Sequence, residues 1–255
     1  MSNLQTLFTQ YRIFTGNLKQ LPRKEKLVIN TINQYSHCLA EEDSEFKKAL
    51  QKSDVLLPDG VGIVLSTKIL TGQSIQKVAG ADLHEHFLKS LNESGGKCFY
   101  LGSSEPTLQK IKERLNKEYP NIQMESYSPP FKDKFNDLEN AIMINKVNLY
   151  RPDVLFVGMT APKQEKWVAN FKEHLDAKVI CSIGAVFDFY AGTIQRPHPI
   201  WVNLGLEWFV RLVKEPKRLW RRYLVFGPVF ISRIASEKIK SSNPAQELQK
   251  KEVFQ

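Results

Sequence analysis

A chain of 255 residues, 42% hydrophobic and 25% charged, holds enough apolar side chains for a sizeable core and fits one domain with an appendage, which excludes wholesale disorder. Its 36 Lys/Arg against 27 Asp/Glu give a net charge of +9, and 7 of that excess falls on residues 196–255, where 12 Lys/Arg meet 5 Asp/Glu. A basic block of this kind suits nucleic acid, anionic lipid or a phosphorylated substrate, and charge alone does not choose among them.

Residues 1–25 lack an apolar core of about seven residues behind a basic start, and no stretch reaches the roughly 18 apolar residues that span a bilayer. The expectation is a protein neither exported nor transmembrane. Apolar, β-rich runs then recur at 26–30, 54–57, 97–101, 122–127, 153–157 and 178–183, separated mostly by segments of helical periodicity. That alternation predicts a parallel α/β sheet. Cys38, Cys98 and Cys181 are scattered without C-x-x-C spacing, and the last two lie inside apolar runs. A reducing cytosol and no nucleophilic role follow. No repeat or low-complexity tract interrupts the pattern.

Three of the strand-like runs end in turn residues followed by a helical segment: Pro58-Asp59-Gly60, Gly102-Ser103-Ser104 before Glu105-Pro106, and Gly158-Met159-Thr160-Ala161-Pro162. Ligands of parallel α/β sheets bind outside the carboxyl ends of the strands, so these loops are the expected site. From Asn203 onward the pattern is helical. Leu204, Trp208 and Leu212 share one face, and beyond Pro216 the residues Leu219, Tyr223, Phe226, Phe230 and Ile234 continue a stripe flanked by Arg218, Arg221 and Arg222. The run 223–231 contains Gly227-Pro228 and is too short to cross a membrane, so it is expected to lie on one. Residues 241–255 are polar and expected to fray. The division is thus a core over 1–195 and a basic, amphipathic helical appendage over 196–255.

Taken together, Leu57-Pro58-Asp59-Gly60-Val61-Gly62, Lys77-Val78-Ala79-Gly80-Ala81-Asp82-Leu83, Ala161-Pro162-Lys163-Gln164-Glu165-Lys166-Trp167, Phe187-Asp188-Phe189-Tyr190-Ala191-Gly192 and Gly205-Leu206-Glu207-Trp208 resemble the WecG/TagA/CpsF family of glycosyltransferases, glycosyltransferase family 26, over roughly residues 25–225. The resemblance implies a Rossmann-like, mostly parallel sheet flanked by helices, of GT-E type, with a helical C-terminal appendage that helps bind donor and membrane. It implies transfer of an N-acetylmannosamine-type or related hexose from a UDP-sugar to a polyprenyl-diphosphate-linked sugar, with inversion, no required metal and no cofactor, in cell-surface polysaccharide or teichoic-acid-type biosynthesis. The family's base falls on Asp59, its supporting threonine on Thr31 and its P-K-Q-E glutamine on Gln164. Lys77 stands where the family usually has arginine, offering a point charge in place of a planar fork. After Thr31 the sequence also departs from the family's usual Asn-Pro.

Each of these residues also has a plainer reading. Asp59 is either a general base or a turn aspartate capping the next helix. Gly102 and Ser103 open a helix whose N–H groups either receive phosphate or are capped by Ser104. Gln164 is expected to touch sugar or acceptor and Lys163 to bind substrate, whereas Glu165 reads as a solvated first-turn glutamate and Asp188 as a buried carboxylate holding loops together. Arg211, Arg218, Arg221 and Arg222 are solvated, lipid-facing or clamps on a diphosphate, with at least one expected in the active site. Trp201, Trp208 and Trp220 read as packing residues. Asp-x-Asp is absent, and His84 and His86, two apart, do not share a helix face, which disfavours a metal site; His37 and His198 have no evident partner. The expected partners are a UDP-sugar, the lipid-linked acceptor and the inner face of the cytoplasmic membrane, with no nucleic acid and a homo-oligomer left open. The rivals are another sugar-nucleotide enzyme, which would want G-x-G-x-x-G after its first strand, and a non-enzymatic lipid- or nucleic-acid-binding module.

Overall fold

The computed structural model describes residues 4–7, 10–195, 197–198, 200–201 and 204–241; the expectation for the polar tail beyond 241 lies outside them. Eight strands form one sheet: β1 (Leu4–Leu7), β2 (Tyr11–Phe14), β3 (Leu27–Ile32), β4 (Val55–Pro58), β5 (Lys97–Gly102), β6 (Gln123–Tyr127), β7 (Val154–Gly158) and β8 (Val179–Ser182), in the order β1-β2-β4-β3-β8-β7-β5-β6. β1 runs antiparallel to β2, and every other pair is parallel. The six strand-like runs of the sequence are β3 to β8. The β1–β2 pair was not anticipated: it is short, and its place is set by a tertiary pairing of Ile13 with Leu56.

Strands buried on both faces read as continuous apolar runs, which is why β3, β4, β5, β7 and β8 were legible; β6, at the sheet edge, buries only Met124. Along β5, Cys98 and Tyr100 enter one core with Leu83, Leu88, Leu108 and Phe187, while Phe99 and Leu101 enter another with Met143, Val147 and Trp167. β7 divides likewise, with Val154 and Phe156 on the first side and Leu155 and Val157 on the second. The first side is covered by α4 (Gly80–Ser94), α5 (Glu105–Glu118) and α8 (Val186–Ala191), the second by α6 (Asp137–Tyr150) and α7 (Lys163–Phe171). A third core lies under α1 (Gln34–Glu42), α2 (Ser44–Gln51) and α3 (Val61–Thr71), where Ile13, Ile32 and Leu56 meet Cys38, Phe46 and Ile63. Cys38, Cys98 and Cys181 are buried free thiols whose proton affinity burial raises, to about 11 for Cys38.

The C-terminal segment comprises α9 (Glu207–Lys214), α10 (Pro216–Trp220), a π-helical turn (Arg221–Val225) and α11 (Phe226–Ser241). Pro228 has no N–H to donate to the carbonyl four residues back and its ring crowds that carbonyl. The turn just before it is widened, with Phe226 N–H reaching back five residues to Arg221 O. The predicted stripe is real but faces the other way: Leu219, Phe230 and Ile234 are buried, and α11 seats the last two in the third core against α1 and α3. His37 is held there between the rings of Tyr11 and Phe230. The outward side instead shows Phe209, Val213, Trp220, Leu224 and Ile231. The tryptophans expected to pack are partly open, Trp201 at 42%, Trp208 at 38% and Trp220 at 48%. Among the described residues no helix is long and apolar enough to cross a membrane.

Phe230→Ala should therefore destabilise the whole domain by about 3–5 kcal/mol, the range for a buried aromatic truncated in a core. Urea denaturation reads it; a loss under about 1 kcal/mol would mean that α11 is not seated in the core.

Candidate active site

The carboxyl ends of β3, β4, β5, β7 and β8 open onto one cavity of about 1320 Å³, lined among others by Thr31, Asp59, Gly102, Ser103, Lys163, Gln164 and the four arginines Arg211, Arg218, Arg221 and Arg222. All three loops singled out from the sequence border it. Its position is the crevice where the chain switches from building outward through β4 to building through β5, β6 and β7 on the other side.

Asp59 follows β4 directly. Its N–H donates to Ile32 O at 2.8 Å and Pro58 O accepts from Val78 N–H at 3.0 Å, so backbone bonds on both sides fix the turn. Gly60, with φ +123°, takes a conformation closed to other residues. It is also the N-cap of α3, and among the described residues no side chain caps that helix. The capping role open to Asp59 is thus not the one it plays. Burial, then the carboxylate of Glu207, lift its carboxyl to about 6, while Arg222, Lys77 and Arg211 pull it back. Glu207 was quoted in the sequence only as part of a recurring string; its effect on Asp59 needs the fold of the C-terminal segment.

Thr31 sits beside this turn, paired across the sheet with Leu57. Asn33, just beyond, caps α1 by accepting from the N–H groups of Tyr35 and Ser36 at 3.1 and 3.0 Å. Lys77 does not line the cavity. Its Nζ lies 3.6 Å from Glu207 Oε2, and its charge reaches Asp59 from there.

At the β5 loop, Gly102 has φ +116° and a Cβ there would lie 2.5 Å from Gly158 O, so the close approach to β7 requires glycine. Ser103 N–H donates to that same Gly158 O at 3.1 Å, and Thr107 N–H to Ser104 Oγ at 3.4 Å. Pro106 has no N–H. Of the two readings of this loop, capping by Ser104 is the one observed.

Lys163, expected on substrate, is held by the loop after β6. Its Nζ donates to Lys132 O at 2.7 Å and stands 4.9 Å from the centre of the Phe135 ring. Gln164 is buried, and its Nε2 donates to Glu165 Oε1 at 2.8 Å. The expectation of a solvated Glu165 is overturned: it is 3% exposed, because the first turn of α7 lies beneath the β8 loop, where Gly184 sits close against Gln164. Burial lifts its carboxyl to about 7, with bonds from Gln164 and its own backbone acting the other way. Asp188 is half-buried on the cavity wall; its backbone O accepts from Thr193 and Ile194 N–H at 3.0 and 3.2 Å, and Thr193 Oγ1 reaches its carboxylate at 3.4 Å.

Arg222 is packed over the ring of Tyr35 at 5.2 Å and Arg211 over that of Phe189 at 5.1 Å. Arg218 pairs with Glu215 at 2.6 Å, and Arg221 is exposed at the mouth. All four line the cavity; Arg211 and Arg222, stacked on rings within it, are not on a purely solvated helix face, whereas Arg218 and Arg221 remain exposed. His84 is buried, 2.6 Å from Tyr100 Oη, with its proton affinity lowered to about 3 by burial, whereas His86 is half-exposed. Among the described residues no three His, Cys, Asp or Glu come together as a metal site.

A Rossmann-like sheet whose carboxyl edge sets one desolvated carboxylate among arginines defines an α/β enzyme built to handle an anionic ligand. Residues 9–244 match the model of the glycosyl transferase WecG/TagA/CpsF family, and the chain belongs to that family of glycosyltransferases. It is similar to the N-acetylglucosaminyldiphosphoundecaprenol N-acetyl-beta-D-mannosaminyltransferase of Bacillus subtilis (strain 168), 27% identical over 222 residues, which cover 87% of this chain and 84% of that protein. The protein of the same name from Staphylococcus aureus (strain MW2) is 27% identical over 214 residues, covering 84% and 82%.

Glu207→Gln removes the charge that most raises Asp59 after burial, so the Asp59 carboxyl should fall below 6, by on the order of one pH unit. NMR titration of carboxyl-labelled aspartate measures it; an unmoved or rising midpoint would mean that Glu207 does not act on Asp59.

Proposed function

We propose that this protein moves an N-acetylmannosamine-type hexose from a UDP-sugar to a polyprenyl-diphosphate-linked sugar, with inversion and without a required metal, at the inner surface of the cytoplasmic membrane. The observation that carries the reading is the cavity that gathers Asp59 and four arginines at the carboxyl edge of the sheet. The names of the similar transferases support the substrate class. In this scheme the Asp59 carboxylate takes the proton of the acceptor hydroxyl as that oxygen attacks the anomeric carbon. The bond from that carbon to the diphosphate oxygen breaks on the opposite face, and the arginines receive the charge that develops there. They supply the positive charge for which other transferases recruit a cation. Thr31 supports Asp59, and Gln164 contacts a sugar.

The base works only when ionised. With its carboxyl lifted to about 6, kcat/KM should rise with pH up to that value and level off above it, since the protonated form dominates below. The rival reading of a nucleic-acid binder wants an outward basic stripe, whereas Arg211 and Arg222 turn inward over aromatic rings. The outward apolar side chains Trp220, Leu224 and Ile231, on a segment rich in basic residues, support contact with an anionic bilayer.

The experiment is a panel of UDP-sugars with a short-chain polyprenyl-diphosphate-linked GlcNAc, products read by mass with and without EDTA. A single hexose added under both conditions is expected; no transfer, or transfer only with a restored divalent cation, counts against the scheme. In the same assay Asp59→Asn should cut turnover by roughly 10²–10⁴-fold while UDP binding persists. Retention of more than about a tenth of wild-type turnover would remove Asp59 as the base. Replacing Trp220, Leu224 and Ile231 together by serine should abolish flotation with anionic vesicles and leave the fold intact, because none of the three is buried. Undiminished flotation would defeat the proposed membrane face.

A further inference from the structure

Glu165 has no place in the transfer scheme, yet its surroundings are those of a ligand contact. It lines the cavity while being 3% exposed. Its Oε1 is taken by Gln164 Nε2 at 2.8 Å. The two remaining oxygens of this pair, Glu165 Oε2 and Gln164 Oε1, are both buried and among the described residues have no hydrogen-bond partner. Native structures leave few buried polar atoms unsatisfied, and two on adjacent residues facing a cavity point to a ligand that completes them.

The chemistry of that ligand follows from the atoms. An amide carbonyl and a carboxyl oxygen repel a diphosphate and accept from O–H or N–H groups. The arginines that suit phosphate come from the C-terminal segment, whereas this pair comes from the first turn of α7. We propose that Glu165 is a specificity-determining residue of the transfer, its Oε2 hydrogen-bonding a neutral substituent of a sugar, a hydroxyl or an acetamido group, while Gln164 Oε1 accepts a second bond from the same sugar. Burial is the largest influence on the carboxyl, which it holds at about 7, and no Lys, Arg or His contributes to it. A bound sugar excludes the remaining water and favours the protonated form, so that Oε2 donates to a sugar oxygen and Gln164 Oε1 takes an O–H or N–H. A carboxamide in place of the carboxyl offers the same shape with an N–H donor.

The inference rests on the transferase reading, and donor and acceptor sugars share the chemistry, so the test separates all three. Wild type, Glu165→Ala and Glu165→Gln are compared by calorimetry with UDP and with UDP-sugar, and by steady-state kinetics varying each sugar substrate in turn. UDP affinity should stay within about twofold of wild type in both variants, while Glu165→Ala weakens one sugar substrate by about 10–100-fold. An effect on UDP-sugar affinity assigns the contact to the donor, and an effect on acceptor KM alone assigns it to the acceptor. Glu165→Gln should recover to within about threefold of wild type, whereas Glu165→Met, which fills the same space without a hydrogen-bonding group, should remain as impaired as Glu165→Ala; recovery by Glu165→Met as well would mean packing alone. If Glu165→Ala does not fold, Glu165→Asp, which withdraws the carboxyl by one methylene, takes its place under the same criteria. Unchanged affinity for both sugars, a parallel loss of UDP binding, or a Glu165→Gln variant as impaired as Glu165→Ala would each overturn the proposal. Failure of the transferase reading shows separately, as absent turnover by the wild-type protein that still binds UDP.

Discussion

Desolvation of Asp59 is the constraint on which the rest of this site depends. A carboxylate at the end of a strand buried on both faces is already short of water, and the C-terminal segment adds the negative charge of Glu207. Left alone, both would raise its proton affinity further. Arg222, Lys77 and Arg211 offset it, and the balance comes to rest near 6, where the group is ionised at neutral pH yet still basic enough to accept a proton. Lys77 is tied to Glu207, so the residue that raises Asp59 and one that lowers it form a single pair. Lys77 does not line the cavity, and its charge reaches Asp59 from this pair.

The C-terminal segment serves two surfaces at once. Its inner stripe, Leu219, Phe230 and Ile234, is buried, and the last two belong to the core beneath α1 and α3. Arg211, on α9, and Arg222, on the π-helical turn, line the cavity from the same segment. Removing everything beyond Gly192 would therefore strip a wall from the core along with any membrane contact, and loss of activity would not distinguish the two. Point changes on the outward side separate them, because those side chains contribute little to the fold.

Much of this was legible in the sequence, for reasons that also explain what was not. Strands β3, β4, β5, β7 and β8 are central, so burial on both faces wrote them as apolar runs, and the loops after β4, β5 and β7 carry the turn residues that the carboxyl edge demands. Strands β1 and β2 are short and their pairing is decided by a distant strand. The stripe of the last helices was read at the right residues, but periodicity says which side is apolar and not what covers it. Glu165 was misread because charge in a first helical turn is usually solvated; that α7 begins under the β8 loop is a tertiary fact. Lys163 lines the cavity, but no local pattern could tell that its ammonium group would donate to Lys132 O in the loop after β6.

The cavity draws its arginines from the C-terminal segment and its buried amide and carboxyl from α7, and the proposed ligands are likewise of two parts. A nucleotide sugar and a lipid-linked sugar each join an anionic diphosphate to a neutral ring, so the junction is where transfer occurs in the proposed scheme. Arginines suit phosphate oxygens through charge-assisted bonds, whereas a buried amide and carboxyl suit the hydroxyl and amide groups of a neutral ring. The first group would then supply most of the attraction and the second most of the discrimination. With Asp59 at the strand end and the cavity continuous from the arginines to the Gln164–Glu165 pair, the anionic and neutral parts of a substrate can be bound by separate elements. In the proposed scheme each element can then change without moving the other: the C-terminal segment would set how tightly a diphosphate is held, and the first turn of α7 would set which ring is accepted beside it.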